Sequence, residues 1–437
     1  MASAPAQDGY LFSRGQAWFA FVMTLALMIF DYVDRQVIVS LFPYLKADWG
    51  LSDKQLGALV SVVSITVALG ALPVALFADR VSRVRSIVAM ATIWSLATIS
   101  CMWARSYGVL MAARATVGLG EAGYGSVGAA LIASHFPSRM RGALLAGFFA
   151  SASVGSVLGV MLGGVIATRW GWQAAFGVVG VPGLLLALLY LKVRDYETVK
   201  LAPGLNAKRQ SIGEAVRHIA KVLARSRTML WVCIGGAAQL IVVSALWSWL
   251  PSFLNRVHGV APAQAGIKAA LVVLAGAAGA VIWGALVDRA GVRHPRRKFA
   301  VLALLCVATT VVLVAAFSLA LEPPAQFALI VLGSFLATCT VGPVSAIVID
   351  VIHPGVRATG CSVLALFQNL FGLAAGPFLT GVLSDAWGLV PALTAMPVFA
   401  IGAAGAFLLA ARSYETDKER ASEPLTPAAG VAKAALA

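Results

Sequence analysis

Charge is scarce in this 437-residue chain: Asp, Glu, Lys and Arg make up 12% of it, against 60% apolar residues. Soluble domains average roughly 25% charged and about 45–50% apolar residues. So little charge cannot cover two or three water-facing domains, which excludes a soluble globular protein, a coiled coil and a disordered chain. Acids are scarcest, 18 Asp and Glu against 33 Lys and Arg, for a formal charge of +15. In a soluble protein that excess would suggest nucleic acid. Here the basic residues sit in short clusters between long apolar runs, with no basic stripe interleaved by aromatics, so nucleic acid is not an expected partner.

Cysteine and histidine are also few and scattered. Cys101, Cys233, Cys306, Cys339 and Cys361 lie singly inside apolar runs, where a thiol behaves as a small hydrophobe. His135, His218, His258, His294 and His353 occupy separate loops without ligand spacing. No disulfide framework, metal site or cofactor is expected. The stretch from Met1 to Arg14 has no apolar core ahead of a cleavage site, so no removable signal peptide is expected. The chain lacks GxxxxGK[ST], GxSxG and HExxH, which removes the common ATPase, hydrolase and metalloprotease readings. Gly118-Leu119-Gly120-Glu121-Ala122-Gly123 fits GxGxxG but lies inside an apolar run, not between a strand and a helix. It reads as a chance match.

What the sequence has is twelve apolar runs, each near the roughly 20 residues that span a bilayer. They cover 17–45, 54–78, 86–103, 107–135, 142–167, 171–193, 228–254, 262–287, 299–321, 325–352, 358–384 and 387–411. The expected fold is an all-α membrane protein of twelve transmembrane helices in two pseudo-symmetric six-helix bundles. An even count puts both termini on one side. With that side cytoplasmic, inner segments hold 25 Lys and Arg, outer loops hold six and two are intramembrane. Basic loops stay inside, so both termini are expected in the cytoplasm. The organisation is then 1–16 cytoplasmic, 17–193 first bundle, 194–227 cytoplasmic linker, 228–412 second bundle and 413–437 disordered tail. Within the linker, Ile212–Ala224 suits either an amphipathic surface helix or a solvated strand of chain.

The two halves repeat each other. Ala75-Leu76-Phe77-Ala78-Asp79-Arg80-Val81-Ser82-Arg83 follows span two, and Gly284-Ala285-Leu286-Val287-Asp288-Arg289-Ala290-Gly291-Val292-Arg293 follows span eight. His135-Phe136-Pro137-Ser138-Arg139-Met140-Arg141-Gly142 after span four returns as His353-Pro354-Gly355-Val356-Arg357-Ala358-Thr359-Gly360 after span ten. The two intervals, Asp79 to Asp288 and Pro137 to Pro354, are nearly equal. Two motifs recurring in order mark a duplicated six-helix unit.

With these loops the sequence resembles the major facilitator superfamily over about 17–412. The resemblance implies a cytoplasmic gate at Asp79, Arg80, Arg83, Asp288, Arg289 and Arg293. In it the Asp caps a helix N-terminus and the last Arg pairs with an acid, for which Asp350 is the candidate partner of Arg293. The first half has Ala75 and Ser82 for the family's glycines, and no acid at Ala133-Ser134-His135, so a weaker latch is expected there.

A narrower resemblance is to the Spinster-like branch. It rests on Tyr32-Val33-Asp34-Arg35, on Arg114-Ala115-Thr116-Val117-Gly118-Leu119-Gly120-Glu121-Ala122-Gly123-Tyr124, on Gly155-Ser156-Val157-Leu158-Gly159 and on Gly171-Trp172-Gln173-Ala174-Ala175-Phe176. Anion–cation symporters of the sugar-acid type share the Asp-Arg and the Gly-Glu, and stay open as the alternative. The glycines at 155, 159 and 163, echoed at 372 and 376, read as close helix packing.

Five charges lie well inside spans: Asp31, Asp34, Arg35, Arg114 and Glu121. Each costs at least about 2.5–3.5 kcal/mol on insertion scales and needs a partner or a wet cavity. Counted at 1.5 Å per residue, spans one and four bring them to similar depths, roughly 10–20 Å below the outer ends. Three acids near two arginines can bind and release a proton and hold an anionic headgroup, or they can simply fix packing. Glu121, Asp34 and Asp31 are the proton-coupling candidates. Arg35 and Arg114 are the anion-binding ones, with Arg35 the expected switch between proton and substrate. Tyr124, Gln239, Trp247, Trp249, Gln368 and Asn369 are further cavity candidates, with Trp249 equally an interfacial anchor.

The reading is a monomeric, non-enzymatic, proton-coupled secondary transporter in a bacterial inner membrane. The resemblance implies an anionic or zwitterionic amphiphile such as a lysolipid; a sugar acid or other organic anion is the alternative. A membrane sensor would need an appended signalling domain, and an embedded enzyme a nucleophile or metal set.

Overall fold

The computed structural model describes residues 9–196, 226–292, 294–352 and 357–422; the expected amphipathic segment 212–224 lies outside them. Among the described residues the chain is helical throughout. Eleven helices are long and apolar enough to cross a membrane. The fourth crossing falls below that length because it is split into Tyr107–Glu121 and Tyr124–His135. Twelve spans result, each matching a predicted apolar run.

Span one is Arg14–Val37, continued by a tight turn at Ile38–Leu41 and by Phe42–Trp49. Spans two and three are Asp53–Val81 and Arg83–Ser100; spans five and six are Ser138–Trp170 and Trp172–Tyr190. In the second half, spans seven, eight and nine are Arg227–His258, Pro262–Gly291 and Arg296–Ser318. Span ten joins Pro323–Ala337 to Val341–Asp350 through Thr338–Thr340. Span eleven joins Arg357–Phe367 to Ala375–Trp387 through a π-helical stretch, Gln368–Leu373. Span twelve is Leu389–Ala395 and Val398–Ser422.

Serine hydroxyls cap the first turns of spans one, two, three, four and seven, satisfying orphan amides at the membrane boundary. Left-handed glycines end span one at Gly50 (φ 62°) and span seven at Gly259 (φ 63°). These two glycines are separated by the same interval as Asp79 and Asp288, so the duplicated unit repeats its turn geometry along with its loop motifs. Packing repeats too. A methyl on Gly155, Gly159 or Gly163 of span five would collide with a carbonyl oxygen of span one, at Ile29, Val33 or Val37. Gly372 and Gly376, the second-half counterparts of Gly155 and Gly159, press span eleven onto span seven at Leu240 and Ser244. Small residues let backbones approach this closely. Gly118 and Gly120 of the apparent GxGxxG pack on Val63 and Trp94 in the same manner.

One boundary corrects the sequence reading. The segment after Ser413, expected to be disordered, continues span twelve as helix through Ser422. The buried Asp417 carboxylate accepts from the Thr228 amide (2.8 Å) and the Ser226 hydroxyl (3.0 Å), and so caps span seven. Tyr414, also buried, donates to Asp350 at 2.8 Å. A charged stretch that looked solvated is held by a helix end that needs an acceptor.

The face carrying both termini differs from the opposite, far face. Hydrogen bonds and ion pairs between described residues of the two halves lie at or just below the far face. Asp53 is their hub, taking Lys46 at 2.6 Å, Arg256 of the second half at 2.7 Å and the Ser384 hydroxyl at 2.5 Å. Asp385 returns the contact by capping span two, accepting from the amides of Asp53 (2.8 Å) and Lys54 (2.9 Å). Phe42 packs against Trp249 across the boundary with the rings tilted, and the Ser61 hydroxyl donates to the Ala374 carbonyl at 2.6 Å.

Candidate functional site

The intramembrane charges meet where span four breaks. The helix stops at Glu121, turns through Ala122 and Gly123 (φ 81°) and restarts at Tyr124. Only glycine adopts that φ without strain, so Gly123 fixes the break and sets Glu121 on the last helical residue before it. Span one, pinned by the span-five glycines, presents Asp31, Asp34 and Arg35 to this point.

The cluster resolves into two groups. In the first, Arg35 Nε lies 2.9 Å from Asp31 Oδ1 and 3.0 Å from Glu121 Oε2, with the Tyr32 ring centroid 5.3 Å from its guanidinium carbon. Arg35 keeps 16% of its side chain exposed, whereas Glu121 is fully buried. Neither carboxylate oxygen of Glu121 accepts a hydrogen bond. In the second, Arg114 Nη1 meets Asp34 Oδ1 at 3.2 Å, and the Thr98 hydroxyl donates to Asp34 Oδ2 at 2.7 Å. Arg114 is fully buried, and its Nε and Nη2 have no hydrogen-bond partner. The five predicted residues therefore come together, but Arg35 pairs with Asp31 and Glu121, while Asp34 belongs to Arg114.

Chemically the groups differ. A buried carboxylate without hydrogen bonds is costly as an anion unless it is paired or protonated. Glu121 has one cation at hand, shared with Asp31 and partly exposed. An incoming anion that engages Arg35 competes for it. Asp34 has a cation and a hydroxyl on separate oxygens, so its own carboxylate is satisfied, whereas Arg114 keeps two unpartnered nitrogens.

Two predicted cavity residues, Tyr124 and Gln239, are placed elsewhere, and a third, Trp247, is half-buried with its indole engaged. Tyr124 is buried in the first-half core against Trp94 and Phe148, its hydroxyl donating to the Thr24 carbonyl at 2.6 Å. Gln239 is buried inside the second half and donates to the Ala337 carbonyl at 2.9 Å. Trp247 donates to Ser334 at 3.0 Å and packs on Gly276. Each is polar at mid-span because it stitches helices together, which sequence spacing does not distinguish from facing a cavity. Trp249, read as a cavity residue or an interfacial anchor, is buried at the far-face contact, its indole donating to the Pro377 carbonyl at 3.0 Å. Gln368 and Asn369 do remain half-exposed, on the π-helical stretch of span eleven, a feature concentrated at functional sites.

Of the predicted gate, Arg293 and the side chains of Asp79 and Arg80 fall outside the described part of the structure. Arg83 donates to the Ala130 carbonyl and to the Ser134 and Tyr196 hydroxyls, and so grips the inner end of span four. Asp195, just past span six, accepts from Ser82, the cap of span three, at 2.7 and 2.8 Å. Asp288 and Arg289 are exposed. Asp350 takes Tyr414 and, at 3.6 Å, Lys298. Thr98, Tyr32, Asp195 and the Asp53 hub were not singled out from sequence. Tyr32 adjoins the Asp-Arg pair and could have been, while a lone threonine or a span-end acid carries no signal.

A sequence model of the Major Facilitator Superfamily matches residues 24–373 and 232–436. The chain belongs to that superfamily. It is therefore an integral, multi-pass membrane transporter and not an enzyme. Protein spinster homolog 3 of Danio rerio is 25% identical over 396 residues, covering 85% of this chain and 78% of that protein. A gallate transporter of Pseudomonas putida is 28% identical over 433 residues, covering 90% and 91%. In structure, a bacterial homolog of the human lysosomal transporter Spinster, crystallised inward-facing and unoccupied, superposes with a TM-score of 0.81 at 23% identity, over 93% of this chain and 99% of that one. The superfamily fold, in this case with Spinster and organic-acid transporters both among its relatives, accounts for the twelve spans and the duplicated half.

Proposed function

We propose that the protein is a proton-coupled secondary transporter of an anionic or zwitterionic amphiphile of lysolipid type, with Arg35, Glu121 and Asp31 as its coupling unit. The observation that carries this is the shared guanidinium of Arg35, held between two acids and partly exposed, beside a buried Glu121 that has no hydrogen bond. Substrate anion and proton then act on one another: the anion draws Arg35 away, and Glu121 takes a proton to remain buried. An empty carrier crosses its occluded state with Arg35 on both acids, and a loaded one crosses with Glu121 neutral. Asp34 and Arg114 hold spans one and four in register beneath the exchange, which moves Asp34 out of the proton-carrying role the sequence allowed it.

The second half supports the amphiphile. Its polar mid-span residues Gln239 and Ser334 are spent on helix contacts, which leaves the half-buried Trp247, Gln368 and Asn369 as the candidates for substrate contact, with the Asn369 amide already donating to the Ala365 carbonyl at 2.9 Å. A sugar acid would want more. The organic-anion alternative draws on the gallate-transporter relative and on the same Arg35. Basic loops marking the cytoplasm support both termini inside, and on that orientation the contacts at the far face support an inward-facing state of a monomeric carrier.

The purified protein in liposomes, given an imposed pH gradient, tests the proposal. Lysophospholipid movement that depends on the gradient, and is lost in Glu121→Gln while gradient-free exchange persists, is the expected result. Gradient-driven uptake of gallate-like aromatic carboxylates without lysolipid transport would establish the alternative. A normal gradient response in Glu121→Gln would make the cluster structural.

A further inference from the structure

Away from the central cluster, the ends of spans eight and nine on the terminal face enclose a cleft of about 500 Å³. Arg289 lines one wall and Arg297 the other, with Val292, Ala300 and Val301 between them. Both arginines are exposed, and neither has an ion pair or hydrogen bond from its side chain among the described residues. The neighbouring charges are already engaged: Arg296 holds Glu415 at 2.9 Å, and Lys298 lies 3.6 Å from Asp350. Two arginines thus line one small volume, and no carboxylate among the described residues pairs with either.

The apolar surroundings point to the kind of ligand. Val292 is 80% exposed beside the arginines, an unusual position for a valine in water. From Arg297 an exposed stripe runs down span nine through Ala300, Leu304 and Val311 at helical spacing. A second runs from Arg289 along span eight through Leu286 and Ile282. Span nine packs on spans ten and twelve, so its open face is the outer side of the second half. Paired cations at the head of two apolar stripes complement a phosphate that carries acyl chains, whereas a free phosphate would use the arginines alone.

We propose that this cleft is a binding site for one anionic glycerophospholipid, its phosphate between Arg289 and Arg297 and its chains along the span-eight and span-nine stripes. The site includes Arg289 of the second-half copy of the gate motif. It is independent of the transported substrate.

Native mass spectrometry of the full-length protein in detergent, with phosphatidylglycerol, phosphatidylcholine or glycerol 3-phosphate added, tests this. Phosphatidylglycerol should be retained at least about tenfold better than phosphatidylcholine, and Arg289→Gln/Arg297→Gln should bring the two lipids level. Arg139→Gln/Arg412→Gln, which removes the same charge elsewhere on that face, should leave the preference intact. The thermal midpoint of each variant without lipid checks that it is folded, and the single Arg297→Gln substitution provides a milder variant if the double one is not. Equal retention of both lipids, or a preference surviving loss of Arg289 and Arg297, overturns the proposal. Retention of glycerol 3-phosphate equal to that of the lipid also overturns it, since the apolar stripes would then contribute nothing.

Discussion

The two halves of the molecule share a backbone and differ in chemistry at the same depth. Thr338 stands to Glu121 as Pro354 stands to Pro137, and Ser244 stands to Arg35 as Asp288 stands to Asp79. Span four breaks at Glu121, and span ten tightens at Thr338–Thr340. The first half fills that level with five charges. The second fills it with hydroxyls that bond to backbone: Thr338 to the Gly276 carbonyl at 2.7 Å, Ser244 to that of Gly372 at 3.1 Å. Interhelical hydrogen bonds of this kind hold spans together without responding to a ligand. The interruptions thus recur in both copies, while among the described residues the ionisable groups at this level lie in the first. On the proposed function, the first half would sense proton and anion and the second would support it.

The sharpest way to break the contrast is Asp34→Leu. It leaves Arg114 buried and uncompensated, and loss of one partner of a buried pair costs about 3–5 kcal/mol. A marked drop in thermal midpoint and in folded yield is expected, and unchanged stability would show that Asp34 is not structural. Glu121→Gln acts on function instead. The side chain keeps its shape, so the protein should fold, with gradient-driven transport lost while gradient-free exchange persists. Thr338→Val, at the equivalent level of the second half, should leave coupling untouched.

A smaller effect is expected at the far face. Asp53→Asn weakens charge-assisted bonds from Lys46 and Arg256, each worth about 1.5–3 kcal/mol, and should shift the population towards outward opening. Phe42→Cys, at a position buried under Trp249 in the closed face, reports this: its labelling by an impermeant reagent from the far side should quicken when Asp53→Asn is added. Asp417→Ala, which uncaps span seven, should lower stability by about 1–2 kcal/mol without altering transport.

The apolar runs, the repeat and the charge cluster were legible in the sequence because each rests on a strong physical cost. A span must be apolar, a duplicated loop keeps its motif, and an intramembrane charge must be paired. Which acid pairs with which arginine was not legible, because Asp31 and Asp34 differ by less than one helical turn and lie at nearly one depth. Only the packing of span one on span five decides that Asp34 faces Arg114. The tail after Ser413 was misjudged for a related reason. Its charges are those of a solvated segment, and the partner that orders Asp417, the start of span seven, is 189 residues away in sequence. Mid-span Gln and Trp were ambiguous because stitching helices and lining a cavity demand the same residue types.

That ambiguity gives the smallest and most discriminating prediction, at Gln239. Its amide nitrogen donates to the Ala337 carbonyl at 2.9 Å and lies 3.4 Å from Thr309 Oγ1, while its carbonyl oxygen is buried without a partner. Gln239→Leu removes one modest hydrogen bond, worth about 0.5–1.5 kcal/mol, and also removes an unsatisfied acceptor whose burial costs about 1–3 kcal/mol. The Ala337 carbonyl left behind sits at the end of a helical segment, beside the turn at Thr338. The terms oppose one another, so stability should change by less than about 1 kcal/mol. Substrate affinity and gradient coupling should not change at all, because Gln239 is fully buried and its partners, Thr309 and Ala337, lie in the second half. A loss of affinity in Gln239→Leu at unchanged thermal midpoint would return this residue to the cavity, and with it the idea that the second half senses as well as supports.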